Sequence, residues 1–219
     1  MSNRVEVKIC GITNTHDALV AARAGADMLG FNFYERSVRH IAPGEAATII
    51  AQARKARPRL RCIGVFVDAA PASIRELAAE IDLDGVQLHG NEVSEDCRAL
   101  SGLRVIKALR VHRDFDPAVV SNYDCDTILL DTWHPGHFGG TGERFDWSVA
   151  VEVRRRVDRL ILAGGLNTKN VAEAIRRVRP DSVDVCSGVE DAPGRKNPEK
   201  IRDFITAVRK AALATEVST

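Results

Sequence analysis

A cysteine and an aspartate at the ends of strand-like segments are the residues of this sequence best suited to move protons. Cys10 follows an alternating apolar segment at residues 5–9, and Lys8 stands two residues before it. Because a neighbouring cation favours the thiolate, we expect Lys8 to lower the pKa of Cys10 from the ~8.5 of a free thiol. Such a thiol can act as a nucleophile or as a general base.

Asp131 ends the apolar segment at residues 128–130. An aspartate there is often only an N-cap or turn residue, but the position also suits a general acid. Two titratable groups on opposite sides of a substrate favour proton transfer over hydrolysis. The glycine-rich segment 132–144 indicates a mobile lid. Its His134 and His137 could form a metal site with Asp131, although the spacing matches no strong ligand signature, so we expect no metal.

Two segments near the end of the chain could bind phosphate through their backbones. Residues 160–165 and 183–188 are apolar runs that end in small residues, among them Gly164 and Gly188, with a helical pattern following. Backbone N–H groups that have no partner at a helix N-terminus can donate hydrogen bonds to an anion, which comes close where no Cβ is in the way. Glycines that only form tight turns are the alternative, but two such segments in succession favour a phosphate site.

Three further side chains could contact a substrate. Arg36 and Arg39 follow the second predicted strand, and a guanidinium pairs with a carboxylate in a bidentate way. A solvated loop arginine is the alternative for both. His89 ends the fourth strand and is either a hydrogen-bonded structural residue or a substrate contact.

The elements that must position these residues alternate between strand and helix. Apolar, β-branched runs predict strands at residues 5–9, 28–33, 62–67, 85–88, 105–109, 127–130, 160–163 and 182–185. Helical patterns lie at residues 17–24, 44–56, 72–81, 93–100, 170–178 and 198–213. Pro43, Pro71 and Pro198 indicate helix starts and Thr168 is an N-cap candidate, whereas the segment 110–125 has little periodicity.

Eight strand–helix units without a linker predict an α/β protein that forms a single (β/α)₈ barrel over residues 1–219. An open doubly wound sheet is the competitor, but it would show a glycine-rich fingerprint after the first strand. Side-chain alternation directs one set of residues to the barrel lumen. We therefore expect Lys8 and Asp184, on neighbouring strands, to form an ion pair. The predicted lumen set is Lys8, Cys10, Asn32, Gln87, His89, Lys107, Asp131 and Asp184.

The composition of the chain argues against several classes of binding partner and location. The 219 residues carry a formal charge of only +1, which does not favour nucleic acid or an anionic membrane. No apolar run approaches the ~20 residues of a membrane span, and no signal peptide is evident. Five scattered cysteines predict a reducing cytoplasm, with Cys62, Cys97 and Cys125 as buried structural residues. A monomer is the expectation, with a dimer as the alternative.

Motifs along the whole chain resemble those of the phosphoribosylanthranilate isomerase family. The most specific are KICGIT at residues 8–13 and VDVCSGVE at residues 183–190. The others are GFNFY at 30–34, SVR at 37–39, VFV at 65–67, VQLHG at 86–90, LLDT at 129–132, GGTG at 139–142, FDW at 145–147 and AGGLN at 163–167. Residues 133–138 are the part least similar to the family.

The resemblance implies an Amadori rearrangement in tryptophan biosynthesis, without metal or organic cofactor, on a small phosphorylated substrate. By this resemblance Asp131 is the general acid, Cys10 is the base that removes the C2 proton, and Arg39 holds the anthranilate carboxylate. The implied phosphate cradle consists of backbone amides at Gly164, Gly165, Ser187 and Gly188, with Gly140 and Gly142 closing nearby. His89 and Asp184 complete the expected substrate-binding set.

Three alternatives remain open from the sequence. The first is a metal-dependent pentose-phosphate epimerase that uses His89, Asp131, His134 and His137. The second is another enzyme of the tryptophan or histidine pathways. The third is a ligand-binding barrel without catalysis, which would leave Cys10 and Asp131 without a chemical role.

Overall fold

A computed structural model describes residues 4–125, 127–133 and 145–216 of the chain. Eight parallel strands form a closed barrel in which each strand pairs with the next and β1 pairs with β8, as the sequence predicts. The strands are β1 (Glu6–Cys10), β2 (Met28–Asn32), β3 (Arg61–Phe66), β4 (Gly85–Leu88), β5 (Val105–Val111), β6 (Thr127–Thr132), β7 (Arg159–Leu162) and β8 (Ser182–Val185).

Helices cover the outside of the barrel. They are α1 (Thr15–Ala24), α2 (Pro43–Ala56), α3 (Pro71–Glu80), α4 (Ser94–Ala99), α5 (Trp147–Arg154), α6 (Val171–Val178) and α7 (Pro198–Glu216). The three predicted prolines each occupy the first helical position, where the missing N–H costs nothing. None of the described helices combines the length and the apolar character that a bilayer crossing requires.

Several elements differ from the sequence prediction. Thr168 is not the N-cap of α6, because that helix begins at Val171 and Asn170 is its N-cap residue. α5 was not predicted, nor was the antiparallel hairpin of β9 (Glu190–Ala192) and β10 (Arg195–Lys196) after β8. The weakly periodic segment before β6 contains a short 3₁₀ helix, Pro117–Asn122. All of these elements are short, so periodicity gives them little signal.

Apolar side chains form two separate clusters. The larger one lies between the barrel and the helices, and the smaller one fills the lumen. The lumen cluster consists of Met28, Ile63, Ile106, Ala108, Leu129, Ile161 and Ala163. Because side chains alternate along each strand and paired residues face the same side, this cluster identifies the inward-facing set. Lys8 is the register partner of Met28, Gln87 is that of Ile106, and Asp131 follows Leu129 by two residues.

The predicted Lys8–Asp184 pair is present in the lumen. The two residues are register partners on β1 and β8, and 3.1 Å separate Lys8 Nζ from Asp184 Oδ1. Burial acts to lower the pKa of Lys8, but Asp184 and Cys10 hold that pKa above its ordinary value. Burial also raises the pKa of Asp184 to about 7, although Lys8 opposes the shift. The pair therefore places a partly compensated charge directly beneath Cys10.

The prediction that Lys107 faces the lumen is wrong. Ile106 and Ala108 on either side of it belong to the lumen cluster, so Lys107 points towards the helix layer. Its Nζ lies 2.6 Å from Glu92 Oε2 and 3.1 Å from Gly90 O, and all three residues are buried. The loop after β4 supplies the Glu92 carboxylate, which compensates the buried charge of Lys107 between the barrel and the helices.

Candidate active site

Cys10 and Asp131 lie at the same end of the barrel, facing inwards. Cys10 is the last residue of β1 and Asp131 is the penultimate residue of β6, so both side chains reach the end from which the βα loops leave. Glycine at position 30 makes room for the thiol, because a Cβ there would lie 2.8 Å from Cys10 Sγ. This geometry lets a substrate enter between a thiol and a carboxyl group.

The carboxyl group of Asp131 accepts a backbone hydrogen bond and lies next to His89. The backbone N–H of Thr132 donates to Asp131 Oδ1 at 2.8 Å, and His89 Nε2 lies 3.4 Å from Asp131 Oδ2. On the far side of the ring, Gln87 Nε2 donates to His89 Nδ1 at 2.7 Å. Because an amide nitrogen can only donate, Nδ1 accepts that bond, and the other ring nitrogen, Nε2, faces Asp131 without a hydrogen bond to it. His89 therefore contacts a candidate catalytic group rather than only the barrel wall.

The environment of Cys10 differs from the prediction. Its thiol forms a hydrogen bond with Cys186, which together with burial raises the pKa of Cys10; Lys8 lowers it, but by less. The expected net decrease is therefore wrong, because the second sulfur opposes the lysine. The same hydrogen bond lowers the pKa of Cys186 to about 7, against the effect of burial and with help from Lys196 and Arg39. The two cysteines therefore shift in opposite directions from the pKa of a free thiol.

Arg39 enters the site but is already engaged there. Its Nε and Nη2 donate to Glu190 Oε1 and Oε2 at 2.9 and 2.7 Å, a bidentate pair. Lys196 Nζ also donates to Glu190 Oε1 at 2.8 Å, and its buried ammonium lies 3.6 Å from Cys186 Sγ. Arg36, in contrast, is exposed on the surface. Of the two predicted arginines, Arg39 is therefore the one that bonds the buried groups of the site.

The two glycine-containing segments lie side by side at the ends of β7 and β8. Gly164 and Gly165 have φ of +80° and +63°, a region that favours glycine. A Cβ at Gly188 would collide with Leu166 O, so the backbones approach closely there. In the described part of the chain, no hydrogen bond has the backbone N–H of Gly164, Gly165, Ser187 or Gly188 as its donor. These four amides can therefore receive an anion.

Only the second segment begins a helix directly. Ser187 starts the 3₁₀ helix Ser187–Val189, whereas α6 begins six residues after Gly165. The expectation of two helix N-termini is therefore half correct. A short extra helix after the eighth strand, beside the loop after the seventh, is the arrangement in which such barrels often bind phosphate.

Other predicted residues lie elsewhere or cannot be placed. Gly140, Gly142, His134 and His137 fall outside the described residues. Among residues 4–125, 127–133 and 145–216, no group of three or more histidine, cysteine or carboxylate side chains could hold a metal ion.

Sequence reasoning missed three residues of this site: Cys186, Glu190 and Lys196. Alternation from Asp184 places Cys186 on the lumen side, and Glu190 ends the VDVCSGVE motif, so both carried a signal that went unused. Lys196 lies on β10, a strand of two residues that no periodicity could indicate.

Comparison with known proteins gives one consistent family. A family model described as "N-(5'phosphoribosyl)anthranilate (PRA) isomerase" matches residues 7–207. N-(5'-phosphoribosyl)anthranilate isomerase of Trichlorobacter lovleyi is 48% identical over 209 residues, which cover 94% of this chain and 99% of that protein. The enzyme of the same name from Citrifermentans bemidjiense is 48% identical over 208 residues, covering 95% and 98% of the two chains.

Solved structures agree with the sequence comparisons. Phosphoribosyl anthranilate isomerase from Thermotoga maritima superposes with a TM-score of 0.87 at 43% identity, covering 94% of this chain and 99% of that one. A phosphoribosyl anthranilate isomerase in complex with reduced 1-(o-carboxyphenylamino)-1-deoxyribulose 5-phosphate gives 0.84 at 42% identity, with the same coverage. The similarity therefore extends over the whole barrel.

Proposed function

This chain belongs to the phosphoribosylanthranilate isomerase family. We propose that Asp131 is the general acid and Cys10 the general base of the family's reaction, and that both act at the mouth of the barrel. The chain is an isomerase of tryptophan biosynthesis. It converts N-(5-phosphoribosyl)anthranilate to 1-(2-carboxyphenylamino)-1-deoxyribulose 5-phosphate by an Amadori rearrangement. The observation that carries the assignment is that the thiol and the carboxyl group face one lumen from the same end of the barrel.

The first proton transfer belongs to Asp131. Its carboxyl group gives a proton to the oxygen of the furanose ring while the nitrogen lone pair forms a double bond to C1. The ring opens, and the product of this step is a protonated Schiff base. The backbone N–H of Thr132 holds Oδ1 of the carboxyl group, so Asp131 keeps one orientation as a proton donor, and its Oδ2 faces His89.

The second proton transfer belongs to Cys10. Its thiolate removes the proton from C2, the electrons of the broken C2–H bond form a C1–C2 double bond, and the C1–N π electrons return to nitrogen. The resulting enolamine then tautomerises to the ketone. Lys8, directly beneath Cys10 on β1, favours the thiolate that this step needs.

Groups at the rim bind the two ends of the substrate. We assign the phosphate to the amides of Gly164, Gly165, Ser187 and Gly188, and Gly140 and Gly142 remain candidates to close over it. Arg39 keeps its Nη1 for the anthranilate carboxylate while Glu190 holds the other two nitrogens. Asp184 binds Lys8 through Oδ1, which leaves its Oδ2 for a sugar hydroxyl. His89 belongs to the proposed binding site through its position beside Asp131, with Nε2 3.4 Å from Oδ2 of that carboxyl group.

We also propose that the chain acts in the cytoplasm as a monomer. A dimer is the second candidate, because one solved Thermotoga maritima relative is described as monomers generated from a dimeric enzyme. Sedimentation equilibrium at the concentrations used for assays separates the two states.

Chelator treatment tests the proposal that no metal takes part. We expect incubation with an excess of EDTA, followed by gel filtration, to leave kcat/KM unchanged, because proton transfer here uses only side chains. Turnover is measured as the change in fluorescence of the anthranilate group. Activity that is lost on chelation and restored by a divalent cation would favour the epimerase-like alternative.

Replacing Arg39 with lysine tests the carboxylate contact. Lysine keeps the charge but not the planar fork, so we expect KM to rise by roughly 10- to 100-fold, the worth of one charge-assisted hydrogen bond. The matched control is Arg36→Lys, at an exposed position of the same loop, which should leave KM as it is. Equal KM values for the two variants would remove Arg39 from the binding site.

A further inference from the structure

Two cysteine sulfurs meet where β1 and β8 end. Ile9 and Val185 are the last register partners of these two strands, so Cys10 and Cys186 are the next residues on each. Alternation along the strands places both side chains on the lumen side, where each cysteine shifts the pKa of the other. The proposed function uses Cys10 as the base and gives Cys186 no role.

The charged groups around this pair fix how many protons it can lose. They come from β1, β8, the loop after β2, and the hairpin β9–β10, and they are Lys8, Asp184, Arg39, Glu190 and Lys196. Three cations and two carboxylates give this cluster a charge of +1 when all are ionised. One thiolate makes the cluster neutral, whereas two would leave a buried net negative charge. The cysteine pair therefore loses one proton readily and keeps the other.

Contacts differ between the two sulfurs. Lys196 Nζ lies 3.6 Å from Cys186 Sγ and also donates to Cys186 O at 3.2 Å. Lys196 is shared with Glu190, whose Oε1 lies 3.9 Å from Cys186 Sγ, but Arg39 is a second cation beside Cys186. Lys8, the cation beneath Cys10, is paired with Asp184 at 3.1 Å. Two cations and one carboxylate therefore lie around Cys186, against one cation and one carboxylate at Cys10, so the resting negative charge lies mainly on Cys186. This agrees with the lowered pKa of Cys186 and the raised pKa of Cys10.

We propose that Cys186 is a positioning residue for the base, sharing one proton with Cys10 and taking that proton when Cys10 acts on the substrate. The inference rests on the proposed role of Cys10. In the step, the S–H bond of Cys10 breaks and an S–H bond forms at Cys186. The Cys10 thiolate then bonds the proton from C2, whose electron pair moves into the new C1–C2 bond. No oxidant or other co-reactant is required.

The pH dependence of Cys186→Ala and Cys186→Ser tests this role. Alanine removes the sulfur that carries the resting charge, so the one negative charge must form on Cys10 itself, beside a lysine that is paired with Asp184. The first proton is then lost at a higher pH than it is from the pair of cysteines. We expect the acidic limb of kcat/KM to lie about one to two pH units higher in this variant than in the unmodified chain. The serine hydroxyl can still donate to a Cys10 thiolate, so Cys186→Ser should recover most of this shift.

A second readout follows the thiol itself. The rate of alkylation of Cys10 by iodoacetamide, resolved by peptide mass spectrometry, should show the same upward shift in Cys186→Ala. The matched control is Cys97→Ala, which removes a buried thiol on α4 and should move neither profile. Thermal unfolding of each variant verifies that it is folded at the pH values used.

The outcomes separate the inference from the proposed function. The inference would be overturned if the alkylation profile of Cys186→Ala were unshifted. It would also be overturned if the pH profiles of Cys186→Ser were shifted as far as those of Cys186→Ala. A shifted alkylation profile with an unshifted kcat/KM profile would support the coupling of the two thiols while contradicting Cys10 as the base. Shifts in both profiles, with recovery by serine, support both.

Discussion

Replacing Asp131 with alanine or asparagine is expected to lower kcat/KM by about 10²- to 10⁴-fold, the usual contribution of a positioned proton donor. Asparagine gives the more specific test, because its side-chain carbonyl oxygen can still accept the hydrogen bond that the Thr132 N–H donates at 2.8 Å. The shape of the site is then kept and only the acidic proton is lost. The measurement is the initial rate of fluorescence change over a range of substrate concentrations.

The matched control for this variant is Asp146→Asn. Asp146 is exposed and caps α5 by accepting from the Ser148 N–H, a task that asparagine performs equally well. We expect its kcat/KM to match that of the unmodified chain. If Asp131→Asn also kept near-normal turnover, the ring-opening proton would have to come from another group, and His89 would be the next candidate because it lies 3.4 Å from the carboxylate.

The barrel could be predicted because two periodicities act together. Strand alternation with period two identified which face of β1 and β8 is polar, and closure of the barrel made those strands neighbours. Together they predicted the Lys8–Asp184 pair across 176 residues of sequence. The same reasoning placed Cys10 and Asp131 at one end of the lumen.

The same alternation failed at Lys107, because a strand has two faces and both of them are buried here. A lysine was assumed to prefer the lumen, yet Ile106 and Ala108 occupy the lumen positions of β5. What lets Lys107 lie outside is Glu92, a loop residue whose direction no strand pattern can give. The position of a buried charge thus depends on a partner that sequence periodicity does not reveal.

The ionisation of Cys10 could not be predicted for a related reason. Lys8 is two residues away and visible in the sequence, whereas the opposing influence comes from Cys186, which only the pairing of β1 with β8 brings close. Likewise, Glu190 lies 151 residues from Arg39 and occupies most of its guanidinium. Local chemistry could be predicted, but the balance of charges at the site is a tertiary property.

Replacing Cys10 with alanine should also lower kcat/KM by about 10²- to 10⁴-fold while leaving the barrel folded. The reason is distinct from that for Asp131, because the base must remove a proton from carbon and no other described side chain is placed as its substitute. Cys186 lies beside it but holds its charge against Lys196, at 3.6 Å. We therefore expect the loss to appear in kcat, with KM nearly unchanged, since the thiol adds little to ground-state binding.

Cys62→Ala is the matched control, because it deletes a buried thiol from β3 on the helix-facing side of the barrel. It should reduce the unfolding temperature slightly, through lost packing, and leave kcat as it is. A Cys10→Ala variant as active as Cys62→Ala would show that the C2 proton leaves by another route. If activity then disappeared only when Cys186 was also replaced, the two sulfurs would be interchangeable bases rather than a base and its partner.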